Sequence, residues 1–279
     1  MELRIKELKI KDNRRLICIS DIHGELDLLQ QLLDKVGFCS DDELIILGDI
    51  FLKGSKPHET LRYVMMLTVR PNVHVVRGNC DFAWGRDVWP DGTDYLDDAD
   101  KAWLDDLPHI IETDSFVFAH AGLEPGPLNA QNPAYCMRNE AFLENAPEFD
   151  KWVVVGHWPV DNYCHQIPSS NPIINKEKRV IAIDGGCVVK GAGGQLNALI
   201  YQDNAFSWQY VDNCPKITIA KPQAEKAGTY HATWPSPQAG STDHMLQLAA
   251  GDVVSVIEEL DDRYFAKKDG IKGWILKEE

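Results

Sequence analysis

Leu16-Ile17-Cys18-Ile19-Ser20-Asp21-Ile22-His23-Gly24 opens on four apolar residues and closes on an aspartate, a histidine and a glycine. A run of four β-favouring residues with no polar alternate marks a strand buried on both faces. The arrangement returns four times. Leu44 to Leu47 precedes Gly48-Asp49, and Val73 to Val76 precedes Arg77-Gly78-Asn79. Phe116 to Phe118 precedes Ala119-His120-Ala121-Gly122, and Trp152 to Val155 precedes Gly156-His157-Trp158. Metal-type side chains at the carboxyl ends of successive buried strands converge on one edge of a sheet, where open α/β folds place their sites. The geometry implied is a ligand set.

The chain as a whole sets bounds. Its 279 residues suffice for one large domain and a small one. The 28 basic and 43 acidic residues leave a net charge of −15, which argues against a surface that tracks nucleic acid by displacing counterions. A phosphate substrate stays open, because bound divalent cations would dominate the local field. No apolar stretch approaches the roughly 20 residues of a membrane span. The start, Met1-Glu2-Leu3-Arg4, lacks the architecture of a signal peptide, and the seven cysteines are scattered without paired spacing. A reduced, cytoplasmic protein without membrane or nucleic-acid partners is expected.

Through the first half, strand and helix patterns alternate. Leu26, Leu29, Leu33 and Val36 form one apolar stripe of a helix. Pro57 is placed to open a second helix, with Leu61, Val64 and Met65 on its buried side. Trp84 to Asp100 reads as a loop over the site. The second half turns β-rich, with Val180 to Ile183, Leu196 to Tyr201 and Phe206 to Val211 as strands. Residues 1–213 therefore read as an α/β domain with two sheets face to face and helices outside. Residues 214–227, rich in Pro, Ala and Lys, read as a linker. In 228–279, short alternating runs (Tyr230 to Trp234, Leu246 to Leu248, Gly251 to Ile257, Tyr264 to Ala266, Gly273 to Leu276) imply a small β-barrel. Their order resembles a Src-homology-3 barrel. That resemblance implies a peptide or protein partner at an aromatic groove, although the Pro-x-x-Tyr element is absent. The alternative is a barrel that serves packing or dimer contacts.

The succession Asp-x-His-Gly, Gly-Asp, Gly-Asn, His-Ala-Gly and Gly-His, over residues 15 to about 211, resembles the calcineurin-like metallophosphoesterases. Within them it is most similar to the phosphoprotein-phosphatase branch. The resemblance implies a four-layer α/β/β/α sandwich with two divalent ions (Mn, Fe or Zn). Asp21 and His23 would bind the first ion, Asp49 would bridge, and Asn79, His120 and His157 would bind the second. The donor types suit such ions, which together would activate a bridging water and offset phosphate charge. Many broader relatives have Gly-His-x-His, whose second histidine completes the first metal; here that position is Pro159. Lone histidines without this context, His58, His74, His109 and His165, are expected to be structural or on the surface, and Arg77 structural.

The departures are specific. The branch usually reads Gly-Asp-x-x-Asp-Arg-Gly, whereas this chain has Leu52-Lys53-Gly54; it usually reads Gly-Asn-His, whereas this chain has Gly78-Asn79-Cys80. The His–Asp pair that protonates the leaving oxygen is thus replaced by Cys80 and Leu52. Lys53 keeps a positive charge but loses the bidentate fork of arginine. Asp49, Asn79, Lys53 and Cys80 are the expected catalytic group, and Lys53 and Arg138 the phosphate holders. The expected activity is hydrolysis of phosphate monoesters, foremost phosphoserine and phosphothreonine of proteins. Gly156-His157-Trp158 and Ile183-Asp184-Gly185-Gly186-Cys187 resemble bacterial diadenosine tetraphosphate hydrolases of the same branch, so dinucleoside tetraphosphate hydrolysis is the first alternative. A catalytically weak scaffold is the second.

Overall fold

The computed structural model describes residues 1–11, 14–82, 96–189, 193–230 and 242–277. In chain order, β1 (Ile5–Glu7), β2 (Leu16–Ile19), α1 (Leu26–Val36), β3 (Glu43–Ile46), α2 (Pro57–Leu67) and β4 (Val73–Val75) lead to a single-turn helix, α3 (Asn79–Phe82). After α4 (Asp98–Asp106) come β5 (Ile110–Glu112), β6 (Phe116–Ala119), the short helices α5 (Pro133–Met137) and α6 (Phe142–Asn145), and β7 (Trp152–Val155). Then follow β8 (Ile173–Asn175), β9 (Val180–Ala182), β10 (Leu196–Gln202) and β11 (Ala205–Val211). The chain ends with β12 (Lys216–Thr218), β13 (Val253–Glu259), β14 (Arg263–Lys268) and β15 (Ile271–Leu276).

Alternation within the fully apolar strands builds the layers. Ile17 and Ile19 of β2 pack with Ile46 of β3 and with Leu29, Leu32, Leu61 and Val64 of α1 and α2. Leu16 and Cys18, one residue out of phase, join Phe116, Phe118, Val154 and Ile181 of the other sheet. Val117, Val153 and Val180 turn the opposite way, onto Cys136 and Phe142 of α5 and α6. The result is the α/β/β/α sandwich. One sheet has the order β11-β10-β2-β3-β4, the other β1-β5-β6-β7-β9-β8. The pairs β2–β3, β3–β4, β6–β7 and β7–β9 are parallel, so their carboxyl ends open on one rim.

Two expectations about connecting segments change. The stretch Trp84 to Asp100 does not end as a loop. Residues 83–95 lie outside the described residues, but α4 starts at Asp98 behind a reciprocal cap in which Asp97 accepts from the Asp100 amide. Arg62 grips both carboxylates. Aspartate-rich composition hid a capping box. Likewise, the stretch read as a linker contains β12, paired antiparallel with β13, and Ile219 is buried with Leu246, Leu248, Val254 and Ile275. Pro215 and Pro222 flank an alternation, Lys216-Ile217-Thr218-Ile219, too short to outweigh them in a sequence reading.

The third sheet is antiparallel throughout, in the order β12-β13-β14-β15. The strands expected at Gly251 to Ile257, Tyr264 to Ala266 and Gly273 to Leu276 are present, while Leu246 to Leu248 contributes one isolated bridge, Leu248 to Gln223. The run Tyr230 to Trp234 lies outside the described residues after Tyr230. Two buried lysines fasten this sheet to the sandwich. Lys272 pairs with Asp161, and Lys267 pairs with Asp212 at 3.0 Å while donating to the Gly193 carbonyl. None of the seven cysteines forms a disulfide. Among the described residues, no helix is long and apolar enough to cross a membrane.

Candidate metal centre

The turns that follow β2, β3 and β7 hold unusual backbone. Asp21, His23, Asp49, Leu52, Lys53 and His157 all have positive φ, between 48° and 69°. For residues with a side chain this region costs about 1–3 kcal/mol each, and it gathers where surrounding structure enforces it. Here the enforcement is visible. The amides of Asp21 and His23 donate to the carbonyls of Gly48 and Asp49, interlocking the first two turns. Asp81, fully buried, accepts from the amides of Asp49 (2.7 Å), Ile50 (2.9 Å) and Gly78 (2.9 Å). It ties the turn after β3 to the turn after β4. Gly156 is small because a methyl there would fall 2.6 Å from Ser20 Oγ and closer still to Asp21 Oδ2.

Donor atoms converge on this scaffold. Asp49 presents Oδ2 to His23 Nε2 at 3.5 Å and Oδ1 to His120 Nε2 at 3.4 Å, the posture of a carboxylate shared between two centres. Asp21 Oδ1 lies 3.6 Å from His23 Nε2, while its Oδ2 accepts from the His157 amide at 2.9 Å. Ligand atoms of Asp21, Asp49 and His120 fall within 4.8 Å of one another, as do those of His23, Asp49 and Cys80. The His157 ring stacks edge-on to that of His120, with centroids 5.1 Å apart.

One contact tests whether this set fits a cation. His120 Nδ1 lies 2.6 Å from the Leu47 carbonyl, and a carbonyl can only accept, so that nitrogen carries the proton. In the neutral ring Nε2 is then a bare lone pair, yet it sits 3.0 Å from the amide oxygen of Asn79, another lone pair. Two acceptors aimed at each other with Asp49 Oδ1 beside them make sense around a shared cation. The imidazole–carbonyl contact is the usual support of a metal-binding histidine.

The electrostatics agree. Burial, reinforced by the Asp49 charge, pushes the Asp21 carboxyl up to about 8 and Asp81 up to about 6. Asp184, whose carboxylate accepts from the Gly186 amide, is raised well above the carboxylate range by burial and by Asp21. Burial also works on Asp49, but His120, His23 and Lys53 overcome it and hold that carboxyl below its ordinary value. Burial pushes His23 and His157 down to about 3, leaving both rings in the neutral form that binds metal. The cluster holds more buried negative charge than its own cations offset, and a divalent ion would take the place of the protons.

The structure thus brings Asp21, His23, Asp49, Asn79, Cys80, His120 and His157 together. Lys53 stands at the mouth with its ammonium 3.4 Å from His23 Nε2. Arg138 is exposed at the end of α5 and near enough to His157 for its charge to oppose protonation of that ring. Leu52 is buried. Arg77 turns away, donating to the Leu104 carbonyl. His74, His109 and His165 meet Glu43, the Arg4 amide and Glu144, and His58 lies by Asp100; all four are outside the cluster. Beside the cluster, Asp81 and Asp184 are buried carboxylates to which sequence reading gave no role. The spacing Asn79-Cys80-Asp81 was the available signal for the first.

The chain also resembles known proteins in sequence and fold. The family model described as Calcineurin-like phosphoesterase matches residues 14–183. A symmetrical bis(5'-nucleosyl)-tetraphosphatase of Vibrio campbellii is 36% identical over 122 residues, 38% of this chain and 44% of that one. The same enzyme of Aliivibrio salmonicida is 29% identical over 168 residues, 54% and 57% of the two chains. The chain thus spans about half the length of the curated relatives it matches. Among solved structures, one provisionally named as a diadenosine tetraphosphatase superposes with a TM-score of 0.58 at 22% identity, covering 76% of this chain and 99% of the other. A protein serine/threonine phosphatase from Saccharomyces cerevisiae gives 0.50 at 11% identity, covering 78% and 86%. At these identities the superpositions speak to the fold.

Proposed function

The chain belongs to the calcineurin-like phosphoesterase family and is a metal-dependent phosphoester hydrolase, and from that premise we propose that it cleaves dinucleoside polyphosphates at a phosphoanhydride bond. This replaces phosphoserine and phosphothreonine proteins as the leading substrate class. Asp21, His23, Asp49, Asn79, His120 and His157 would hold two divalent ions. When bound, such a pair lowers the pKa of water and neutralises phosphoryl charge. Lys53 at the mouth and Arg138 beyond His157 supply the remaining positive charge for a polyphosphate chain.

The carrying observation is the missing proton donor. Cys80 and Leu52 occupy the positions of the pair that serves a poor leaving group in similar enzymes. Burial and the Asp49 charge push the Cys80 thiol well above its usual range, and Leu52 has no proton to give. A serine alkoxide needs protonation as it departs. A nucleoside polyphosphate leaves as a stabilised anion and does not. The named relatives, symmetrical bis(5'-nucleosyl)-tetraphosphatases, agree with this chemistry.

The test is a single-turnover comparison of diadenosine tetraphosphate, nitrophenyl phosphate and a phosphoserine peptide with Mn, Fe or Zn supplied. General-acid help is worth about 10²–10⁴-fold, so the phosphoserine peptide should lag by a factor in that range. Equal rates on the tetraphosphate and the peptide would refute the proposal and restore the protein-phosphatase reading.

A further inference from the structure

We propose that Cys80 is a ligand of the first metal position, bound through its sulfur beside His23 and Asp49. The inference rests on the two-metal reading above and deepens it, since a sulfur bonded to a metal cannot serve as a proton donor.

Geometry carries the argument. Cys80 lies in the single turn of α3, directly after Asn79, and is 2% exposed. Its amide donates to Asp49 Oδ1 at 2.8 Å, which fixes the residue against the carboxylate shared by both centres. Its sulfur, one ring nitrogen of His23 and a carboxylate oxygen of Asp49 are mutually within 4.8 Å, so small side-chain shifts would bring all three to ordinary ligand distances of about 2.0–2.3 Å from one ion. Asn79 Nδ2 reaches the same sulfur at 3.5 Å. Buried cysteines usually act as small apolar residues, and Cys80 is a member of the apolar cluster under α1 and α2. Its sulfur also faces the imidazole of His23 and the carboxylate of Asp49, which apolar packing alone does not call for.

The chemistry is complementary. Pro159 stands where broader relatives supply a further histidine to the first metal, and proline has no donor side chain. Asp21, His23, Asp49 and Cys80 together restore four protein donors. As the metal–sulfur bond forms, the S–H bond breaks and the proton passes to solvent. A sulfur in the set shifts preference from manganese towards zinc or iron, because thiolate is the soft donor among carboxylates and imidazoles.

Cobalt(II) is the probe. The 279-residue protein, stripped by chelator and titrated with cobalt, should develop a near-ultraviolet sulfur-to-cobalt charge-transfer band along with visible d–d absorption. Cys80→Ser should lose the charge-transfer band and keep the d–d bands. Cys187→Ser, which removes a nearby buried thiol, should keep both. Zinc affinity of Cys80→Ser should fall by at least about 10-fold, the lower end of what loss of even an outer partner of a ligand costs, with manganese affinity changing less. A wild-type cobalt protein with d–d bands but no charge-transfer band overturns the sulfur ligand alone. A band of equal strength in Cys80→Ser does the same. Failure of the wild type to bind cobalt at all overturns both this ligand and the two-metal reading. The wild-type spectrum decides the matter even if Cys80→Ser does not fold.

Discussion

Gly156→Ala should cost activity by crowding Asp21 rather than by weakening the fold. The backbone of Gly156 lies outside the left-handed region, so alanine adds no conformational strain there. The added methyl is the whole perturbation. It would fall 2.6 Å from Ser20 Oγ, 2.7 Å from Ser20 Cβ and nearer still to Asp21 Oδ2, where ordinary contact begins at 3.4 Å. The Asp21 carboxylate is held to the same peptide by the His157 amide, and its backbone amide donates to the carbonyl of Gly48, so retreat from the methyl breaks a hydrogen bond. Relief requires a retreat of roughly 1 Å, and a misplacement of that size costs on the order of 10²-fold in rate. The matched control is Gly37→Ala, the cap of α1 at φ 62° with nothing within 4 Å of the added methyl. That variant carries backbone strain of about 1–2 kcal/mol and no steric contact. Turnover of diadenosine tetraphosphate at saturating metal, with melting temperature and bound-metal content measured in parallel, separates the two. Gly156→Ala should lose activity and metal while melting near the wild type, and Gly37→Ala should show the reverse. Near-normal turnover by Gly156→Ala would mean that Asp21 does not hold a metal in the position seen here.

Because Asp49 faces both His23 and His120, Asp49→Asn should lower the content of both metal ions and reduce turnover by orders of magnitude, while His165→Ala, an exposed site, should change neither; elemental analysis of the two variants checks this. Asp21 has its folded value raised, so the metal-free fold carries a penalty that grows as pH climbs from about 4 towards about 8. Metal must displace that proton, so affinity measured by titration calorimetry should rise with pH through about 8, and a flat profile would contradict the assignment. Lys272→Met leaves Asp161 buried without its cation, a loss of about 3–5 kcal/mol in comparable pairs. A chemical-denaturation midpoint unchanged from wild type would show that the pair does not fasten the third sheet.

The order of layers and the core of the site were legible because the signals were strong and local. Short apolar strands, each followed by a metal-type side chain and a glycine, can be read without knowing what they pair with. The turn after β3 shows where that legibility stops. Leu52 and Lys53 adopt left-handed backbone in a turn whose start Asp81, far along the chain on α3, clamps through the amides of Asp49 and Ile50. No local pattern announces such a clamp. The capping box at Asp97 and the strand at Lys216 were missed for a different reason. In both, composition (acidic in one, proline-flanked in the other) outweighed a short pattern that tertiary contacts then reinforced.

The buried lysines make the hardest case, and they bear on what the C-terminal sheet does. From sequence, Lys267 and Lys272 are the polar alternates of surface strands. In the fold both side chains are almost wholly buried, and each meets an aspartate of the sandwich. A lysine is taken out of water only where a fixed acceptor waits, so these pairs specify one docking of the sheet more than they add net stability. Lys267 also holds the Gly193 carbonyl, and a methyl on Gly193 would collide with Ile257 of β13. Gly194 in turn abuts the Gly186 backbone, two residues beyond Asp184. The third sheet therefore braces the segment that brings Asp184 against Asp21. A sheet serving only as a tethered binding module would need none of these contacts. Their presence ties the sheet to the segment 186–194 that follows Asp184, and removing it after Asn213 should loosen that segment before it frees a groove.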